Sequence, residues 1–258
     1  MAQIFPPSWN KLFEEAGNEV IFLRRFLRNI FKLGFEWNEF IRQSYIIGYK
    51  SLPLIAITGF VIGLVITIQT DPTMKSFGAR SYMPSMIAIS VVREIGPVII
   101  ALTCAGKIAS GIGAELGSMN VTEQIDAMNV SGANPVQYLV VTRILACMVM
   151  VPILTLIGDL IALFGGYIGE NMDQNISLIL YYNKSFKFLM FSDFFPAVIK
   201  TVFFGFAIGF IGCYKGYYSN RGTEGVGAAA NTAVVYASLW IIVIDAIAAQ
   251  LTNIFVYQ

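Results

Sequence analysis

Five charged residues lie within long apolar stretches of the sequence: Arg93, Glu94, Asp159, Lys200 and Asp245. A charged side chain at membrane depth costs about 2.5–3.5 kcal/mol to insert and usually faces a partner or a water-filled cavity. At about 1.5 Å of rise per helical residue, all five are expected in the outer half of the bilayer at overlapping depths. They therefore predict a shared charge network or a polar-lined cavity inside a helix bundle.

Within this layer, Lys200 is the expected partner of Glu94 and Asp245. Arg93 is then left free to contact a lipid phosphate, which its planar guanidinium group suits. The alternative is a purely structural set of buried ion pairs. Gly96 and Pro97 come shortly after Arg93 and Glu94 in the sequence. They predict a kink beside the charges, because proline has no N–H to donate to the helical hydrogen-bond ladder.

The composition argues against several other kinds of chemistry. The chain has no histidine, so the commonest metal ligand and general base are missing, and no metal site is predicted. Cys104, Cys147 and Cys213 are far apart and are expected to be small packing residues. A net charge of +1 gives no electrostatic footprint for nucleic acid. An intramembrane enzyme is disfavoured, since no serine or cysteine is paired with a recognisable base.

The elements that must position the charges are membrane spans. Of the 258 residues, 56% are hydrophobic and 13% are charged, whereas soluble domains carry about 25% charged residues. Several apolar runs reach the roughly 20 residues that cross a bilayer. We expect an all-α polytopic membrane protein with residues 1–44 as an amphipathic N-terminal segment and residues 45–258 as a five-span domain. The spans are predicted at about 46–69, 83–108, 144–169, 194–214 and 231–256.

The N-terminal segment is amphipathic and too highly charged to span. Its apolar residues are Val20, Leu23, Leu27, Ile30, Phe31 and Leu33, and they alternate with Arg24, Arg25, Arg28 and Lys32. This pattern predicts a basic helix that lies in the headgroup region of the membrane. A soluble helix packed on a partner is the alternative.

Basic residues predict the orientation, since they are more frequent in cytoplasmic loops. With the N-terminus inside, the cytoplasmic side holds ten of them: Lys11, Arg24, Arg25, Arg28, Lys32, Arg42, Lys50, Arg143, Lys215 and Arg221. The opposite side holds four: Lys75, Arg80, Lys184 and Lys187. We therefore expect a cytoplasmic N-terminus and a C-terminus on the other side of the membrane.

The segment at 118–143, between spans two and three, is capped and acidic. Asn120 is predicted to cap a short helix, with Glu123 as the reciprocal partner of a capping box. Gly132 is expected to end that helix, and Asn134 to cap the next one, with Pro135 at its first position. Such a helix across the cytoplasmic ends of the spans offers a surface that a soluble motor could grip; an ordinary capped connection is the alternative.

Small residues recur every four positions after Pro97, at Ala105, Ala109, Gly113 and Gly117, and predict close helix packing. Lys107 and Glu115 flank that face and are expected to pair. The sequence "AGKI" at 105–108 does not match a phosphate-binding loop, because it lacks the earlier glycine and the following Ser or Thr. No ATP site is therefore predicted in this chain.

Four motifs, in this order, resemble the MlaE (YrbE) family of ABC-transporter permeases, which work with MCE-domain proteins in lipid trafficking. They are "REIGPVIIAL" at 93–102, "AGKIASGIGAELGSM" at 105–119, "TEQIDAMNVSGANPVQYLVVTR" at 122–143 and "GYYSNRGTEGVGAAANTAVV" at 216–235. The likeness runs from about residue 45 to the end. Arg93, Glu94, Lys200 and Asp245 match charged positions of the family; Asp159 is not matched.

The resemblance implies a permease that moves phospholipids between the bacterial inner and outer membranes. It implies an inner-membrane homodimer, a cytoplasmic ATPase that binds the ATP, and a periplasmic ring of MCE-domain subunits. The ATPase would contact Glu123, Asp126, Met128 and the turn at Gly132, and spans one and five would line a lipid path at the dimer axis. The alternative function is a proton- or ion-coupled secondary transporter that uses Glu94 and Asp245 as relays.

Overall fold

The computed structural model describes residues 7–31, 34–173, 175–220 and 222–256, with side chains described from residue 17 to residue 255 outside the same gaps. Every regular element within these residues is a helix. Five helices are long and apolar enough to cross a membrane: Trp37–Ser76, Arg80–Val121, Val136–Asn171, Phe191–Tyr217 and Thr223–Phe255. They are called spans one to five, and they confirm the predicted all-α polytopic architecture. Lys32, Leu33 and Arg221, which entered the predictions above, lie outside the described residues.

Several spans are assembled from shorter helical pieces. Span one consists of Trp37–Gly48, a 3₁₀ turn at Tyr49–Ser51 and Leu52–Ser76. Span two consists of a 3₁₀ turn at Arg80–Tyr82, α-helices at Met83–Ser90, Gly96–Cys104 and Ser110–Val121, and π-helical turns at Val91–Ile95 and Ala105–Ala109. Span three begins with a π-helical segment, Val136–Val141, and continues as Thr142–Asn171. Span four is Phe191–Tyr217, and the fifth helix continues through Val256. Three further helices lie outside the spans: Pro7–Ile30, Gln124–Val130 and Leu178–Phe186.

Span two is longer than predicted, since its helix continues past Ile108 to Val121. The small residues of this extension explain its length. A Cβ atom added to Gly113 would lie 3.1 Å from the carbonyl oxygen of Ala229 in span five, and Ala105 and Ala109 are fully buried. The predicted close packing is therefore confirmed, and contact with neighbouring helices supports the helix beyond the bilayer-length apolar run.

The bundle has an interior and an exterior set of spans. In the most apolar 18 residues of each span, the buried share is 50–56% in spans two, three and four, but 28% in span one and 17% in span five. Spans one and three pack backbone to backbone, because a Cβ atom on Gly63 would lie 1.7 Å from the carbonyl oxygen of Ala162. Glycine at position 63 therefore permits this approach.

The N-terminal helix packs on the bundle through one face. Phe22 is fully buried, and its ring lies 5.6 Å from that of Phe210 and 5.6 Å from that of Tyr214, both in span four. Val20 and Phe31 remain exposed. The helix is therefore docked on span four, and its position in the headgroup region stays a prediction. The predicted boundary after residue 44 falls inside the helix Trp37–Gly48.

Ion pairs join the ends of spans one, two and three at the end of the bundle opposite the N-terminal helix, which we call the C-terminal end. Asp173 pairs with Lys75 and with Arg80, whose Nη2 lies 2.6 Å from its Oδ2. Asp71 lies 2.7 Å from both basic groups. The hydrogen bonds from Lys75 and then Arg80 lower the pKa of Asp173 below its ordinary value. Spans one, two and three are thus tied together where their loops meet.

Candidate functional site: a charged cavity inside the bundle

A π-helical turn presents the first two charged residues. Arg93 and Glu94 lie within Val91–Ile95, immediately before Gly96 and Pro97. A π-turn adds a residue to the helical repeat and is frequent at functional sites, and proline withholds one N–H from the ladder. The predicted irregularity therefore takes the form of a π-turn. It directs the consecutive side chains to different neighbours in span four.

Lys200 contacts both predicted carboxylates. Its Nζ lies 2.5 Å from Oε2 of Glu94 in span two and 3.0 Å from Oδ1 of Asp245 in span five. The side chain of Lys200 is 5% exposed, whereas Glu94 is 49% and Asp245 23% exposed. The sequence-based pairing is therefore present, and it places residues of spans two, four and five at one level. One ammonium group shared by two carboxylates leaves a net negative charge in this triad.

Arg93 is not free, which corrects the sequence-based prediction. Its guanidinium group forms an ion pair with Asp193, whose side chain is buried and whose Oδ2 accepts a hydrogen bond from the backbone N–H of Met190 at 2.9 Å. The sequence analysis did not select Asp193, because it lies in the first turn of span four, where an acidic residue is ordinary at the N-terminus of a helix. Only packing brings it beside Arg93.

Asp159 is separate from these ion pairs, contrary to the predicted network. It is 6% exposed and forms no ion pair with any described residue. Its Oδ1 has no hydrogen-bond partner and lies against Gly96, where an added Cβ atom would be only 1.8 Å away. Asp159 lies instead in a second, much smaller pocket between spans two, three and four.

Four charged side chains line a cavity of about 280 Å³, and Asp245 is outside its lining although it pairs with Lys200. Its lining residues are Arg93, Glu94, Asp193, Pro196, Ala197, Lys200, Ala249, Thr252 and Asn253. An apolar groove of about 440 Å³ runs beside it between spans four and five, with the side chains of Phe195, Ile199, Phe203, Leu251 and Phe255 in its wall. Pro196, Lys200 and Thr252 line both spaces. The site can therefore receive a charged group in the cavity and a hydrocarbon chain in the groove.

The predicted short helix between spans two and three exists, but its start is different. It runs from Gln124 to Val130, and Glu123 precedes it in the left-handed conformation with φ of 57°. Asn120 does not cap it, because it lies in the last turn of span two and donates to the backbone carbonyl of Ser219 at 2.8 Å. The predicted capping box is therefore wrong; the continuation of span two leaves no room for it.

The end of this short helix follows the prediction. Gly132 has φ of 79°, a conformation that suits glycine, and the N–H of Ala133 donates to the carbonyl of Met128 at 3.0 Å. The side chain of Asn134 accepts from the N–H of Gln137 at 3.3 Å, as expected of a cap. Glu123, just before the helix, and Asp126, within it, are exposed, and Met128 is half-buried. ATPase contact by these residues and by the turn at Gly132 stays a prediction.

The return from the short helix is tied to the N-terminal segment. Asn134 donates to the side-chain oxygen of Asn29 at 2.7 Å, and Gln137 donates to the carbonyl of Gly34 at 2.9 Å. Neither partner is apparent in the sequence, since each lies more than 100 residues away. These two hydrogen bonds connect the segment after the short helix to residues that precede span one.

The expected Lys107–Glu115 pair does not form. Lys107 donates to the backbone carbonyl of Lys50, and Glu115 pairs at 2.9 Å with Arg143, which is fully buried. Arg143 also donates to the carbonyl of Leu139 at 2.9 Å. The partner of Glu115 is therefore a basic side chain from span three and not Lys107 of its own span.

These features define a five-span helical membrane protein with a charged cavity among its spans. The sequence profile of the family described as Permease MlaE matches residues 40–251, so the chain belongs to the MlaE permease family. It is 35% identical to a probable ABC transporter permease protein of Rickettsia typhi over 233 aligned residues, and these residues cover 90% of each chain. A probable ABC transporter permease protein of Rickettsia prowazekii is 38% identical over 203 residues, 79% of this chain and 78% of the relative. One from Synechocystis is 34% identical over 203 residues, 79% and 77% of the two chains.

Proposed function

We propose that this protein is the transmembrane permease subunit of an ABC transporter that moves phospholipids between the inner and outer membranes of a bacterium. The observation that carries the proposal is the charged cavity that adjoins an apolar groove and shares Lys200 with it. A phospholipid has the same division into a charged headgroup and hydrocarbon chains. Family membership and the names of the relatives support an ABC-type permease.

The balance of charges in the cavity favours a headgroup over a free ion. Two basic and two acidic side chains line it, Arg93 and Lys200 with Glu94 and Asp193. Arginine and lysine donate charge-assisted hydrogen bonds to phosphate, and the carboxylates suit the cationic part of a zwitterionic headgroup. An incoming phosphate would compete with Asp193 for Arg93. Binding of a lipid phosphate to Arg93 would therefore require the Arg93–Asp193 ion pair to open.

A separate cytoplasmic ATPase would drive the transport. Its docking surface would be the short helix with Glu123, Asp126, Met128 and Gly132, of which the two acidic side chains are exposed. The hydrogen bonds that follow this helix, from Asn134 to the N-terminal segment, provide a route from the ATPase to span one. ATP would be bound by that subunit alone, since this chain carries no phosphate-binding loop motif.

The assembly would be a twofold homodimer in the inner membrane, with a periplasmic ring of MCE-domain subunits. Spans one and five are the least buried, which leaves surface for a second copy, and twofold closure is the commonest symmetry. The dimer axis would then lie beside the spans that were predicted to line the lipid path. Mass measurement in mild detergent that finds one permease copy per complex would contradict the dimer.

Transport in a defined system tests the function. The complex copurified from native membranes is reconstituted in vesicles that contain a labelled phospholipid, and transfer of the label to an acceptor is followed. We expect transfer with ATP and none with a non-hydrolysable analogue, with or without a proton ionophore. Transfer that persists without ATP and collapses with the ionophore would instead establish a proton-coupled secondary transporter.

A further inference from the structure

Asp159 is buried at membrane depth without a counter-ion. It lies in the second half of span three and is 6% exposed, and no described residue pairs with it. Lys200 of the charged cavity is already shared by Glu94 and Asp245. The other charged groups of that cavity, Arg93 and Asp193, are paired with each other. An ionised Asp159 would therefore lack a partner of its own.

Among the described residues, one oxygen of the carboxyl group also lacks a donor. Its Oδ1 has no hydrogen-bond partner and lies against the Cα of Gly96. The N–H of Gly96 already donates to the carbonyl of Val91. A buried carboxylate oxygen without any donor is costly, because charge is penalised far more than a neutral polar group. This environment fits the neutral acid and disfavours the anion.

The carboxyl group lines a pocket of the size of one water molecule. Its volume is about 10 Å³, and it lies between spans two, three and four. Two hydroxyl groups line it as well, those of Thr155 and Thr201. Each hydroxyl donates to a carbonyl of its own helix, Thr155 to Val151 at 2.9 Å and Thr201 to Val198 at 2.7 Å. Their lone pairs therefore remain as acceptors.

We infer that Asp159 carries a proton in the folded protein and that, with Thr155 and Thr201, it forms a site for one water molecule between spans two, three and four. The acid O–H would donate to the water, and the water would donate to the two hydroxyl oxygens. A buried water with about three such bonds is ordinary in proteins. A metal cation fits less well, because the rest of the wall is apolar and comes from Val92, Pro97, Pro152, Leu156, Phe194, Ala197 and Val198.

The pocket that contains Asp159 adjoins the charged cavity, since Ala197 lines both. Loss of the proton to solvent would create a third carboxylate near Lys200, in competition with Glu94 and Asp245. The inference does not depend on the proposed function, since it concerns the protonation state of one side chain.

Infrared difference spectroscopy of the whole complex in lipid bilayers at neutral pH tests the inference. We expect the unmodified complex to show the C=O stretching band of a protonated carboxylic acid, which shifts in D₂O and disappears in Asp159→Asn. The matched controls Asp245→Asn and Glu94→Gln should remove carboxylate bands and leave the acid band. Loss of a carboxylate band in Asp159→Asn, with no acid band in the unmodified complex, would overturn the inference.

Two further measurements keep the test decisive if Asp159→Asn fails to assemble. Labelling all aspartate with ¹³C in the unmodified complex should shift the acid band, whereas labelling glutamate should leave it unchanged. Thr155→Val should keep the acid band but move it to higher frequency, because the water loses one acceptor. An acid band that responds to neither change would belong to another group and would contradict the site.

Discussion

The Nζ of Lys200 lies 2.5 Å from Oε2 of Glu94, although 106 residues separate them in the chain. A second carboxylate, that of Asp245, lies 3.0 Å from the same ammonium group. Three spans therefore meet at one cation. Because the two acids share it, replacing the lysine should affect both, whereas replacing one acid should leave the other pair intact.

We predict that Lys200→Ala lowers the free energy of unfolding by about 1–3 kcal/mol, the usual cost of leaving a partly buried group unpaired. Transport should fall sharply. Adding Glu94→Gln should recover part of the stability, since mutations of groups in contact are not additive. Thermal unfolding of the single and double variants gives the coupling. Unchanged transport in Lys200→Ala would show that the ion pairs are structural only.

The Arg93–Asp193 pair predicts a selective loss of lipid. In Arg93→Gln combined with Asp193→Asn both charges are replaced by neutral amides, so the complex should assemble. It should retain lipid about tenfold more weakly, because one charge-assisted hydrogen bond of about 1.5–3 kcal/mol is lost. Phospholipid extracted per complex is the measurement, and Lys187→Gln, a neutralised exposed lysine in the loop after Leu178–Phe186, is the control. A full lipid load in the double variant would remove the cavity from the lipid site.

The short helix Gln124–Val130 predicts a defect in coupling. Changing Glu123 and Asp126 together to lysine should release the ATPase or separate ATP hydrolysis from transport, while the spans remain folded. Both side chains are exposed, so we expect the spans of the variant to fold. Lys184→Glu with Lys187→Glu, at the C-terminal end of the bundle, is the charge-reversal control. Normal ATPase retention and normal transport in the Glu123–Asp126 variant would disprove the docking surface.

Close packing of spans one and three predicts a large effect of one methyl group. In Gly63→Ala the new Cβ atom would meet the backbone carbonyl of Ala162, so the two helices must separate. We expect a loss of about 1–3 kcal/mol or more in thermal or denaturant unfolding. Gly106→Ala is the matched control, because nothing lies within 4 Å of its added Cβ atom. Equal stability of the two variants would contradict the observed helix contact.

The ion pairs at the C-terminal end predict a dependence on acid pH. Because the pKa of Asp173 is lowered in the folded chain, its pairs with Lys75 and Arg80 stabilise the fold above the ordinary aspartate pKa of about 3.9. That contribution is lost as the pH falls through the lowered value. The unfolding temperature of Asp173→Asn should therefore be below that of the unmodified chain at neutral pH and converge with it in acid. A difference that stays constant with pH would count against the pairing.

Features that depend on residues close together in the chain were predicted correctly from the sequence. Five spans follow from apolar length, since each span must satisfy its own backbone within the membrane whatever its neighbours are. Gly132 ends the short helix and Asn134 caps the next one, as predicted, because both effects depend only on the adjacent backbone. The contacts of Lys200 were also predictable, because few basic residues lie at that depth.

Other features were decided only by the tertiary structure. Arg93 was expected to be free, yet Asp193 reaches it, because the π-turn in span two and the packing of span four set the direction of both side chains. Asp159 has the depth of the charged layer but faces Gly96 in a separate pocket. Periodicity assigns a residue to a span and a depth. The rotation of each helix about its axis depends on packing against all of its neighbours at once, and that rotation determines which charges meet.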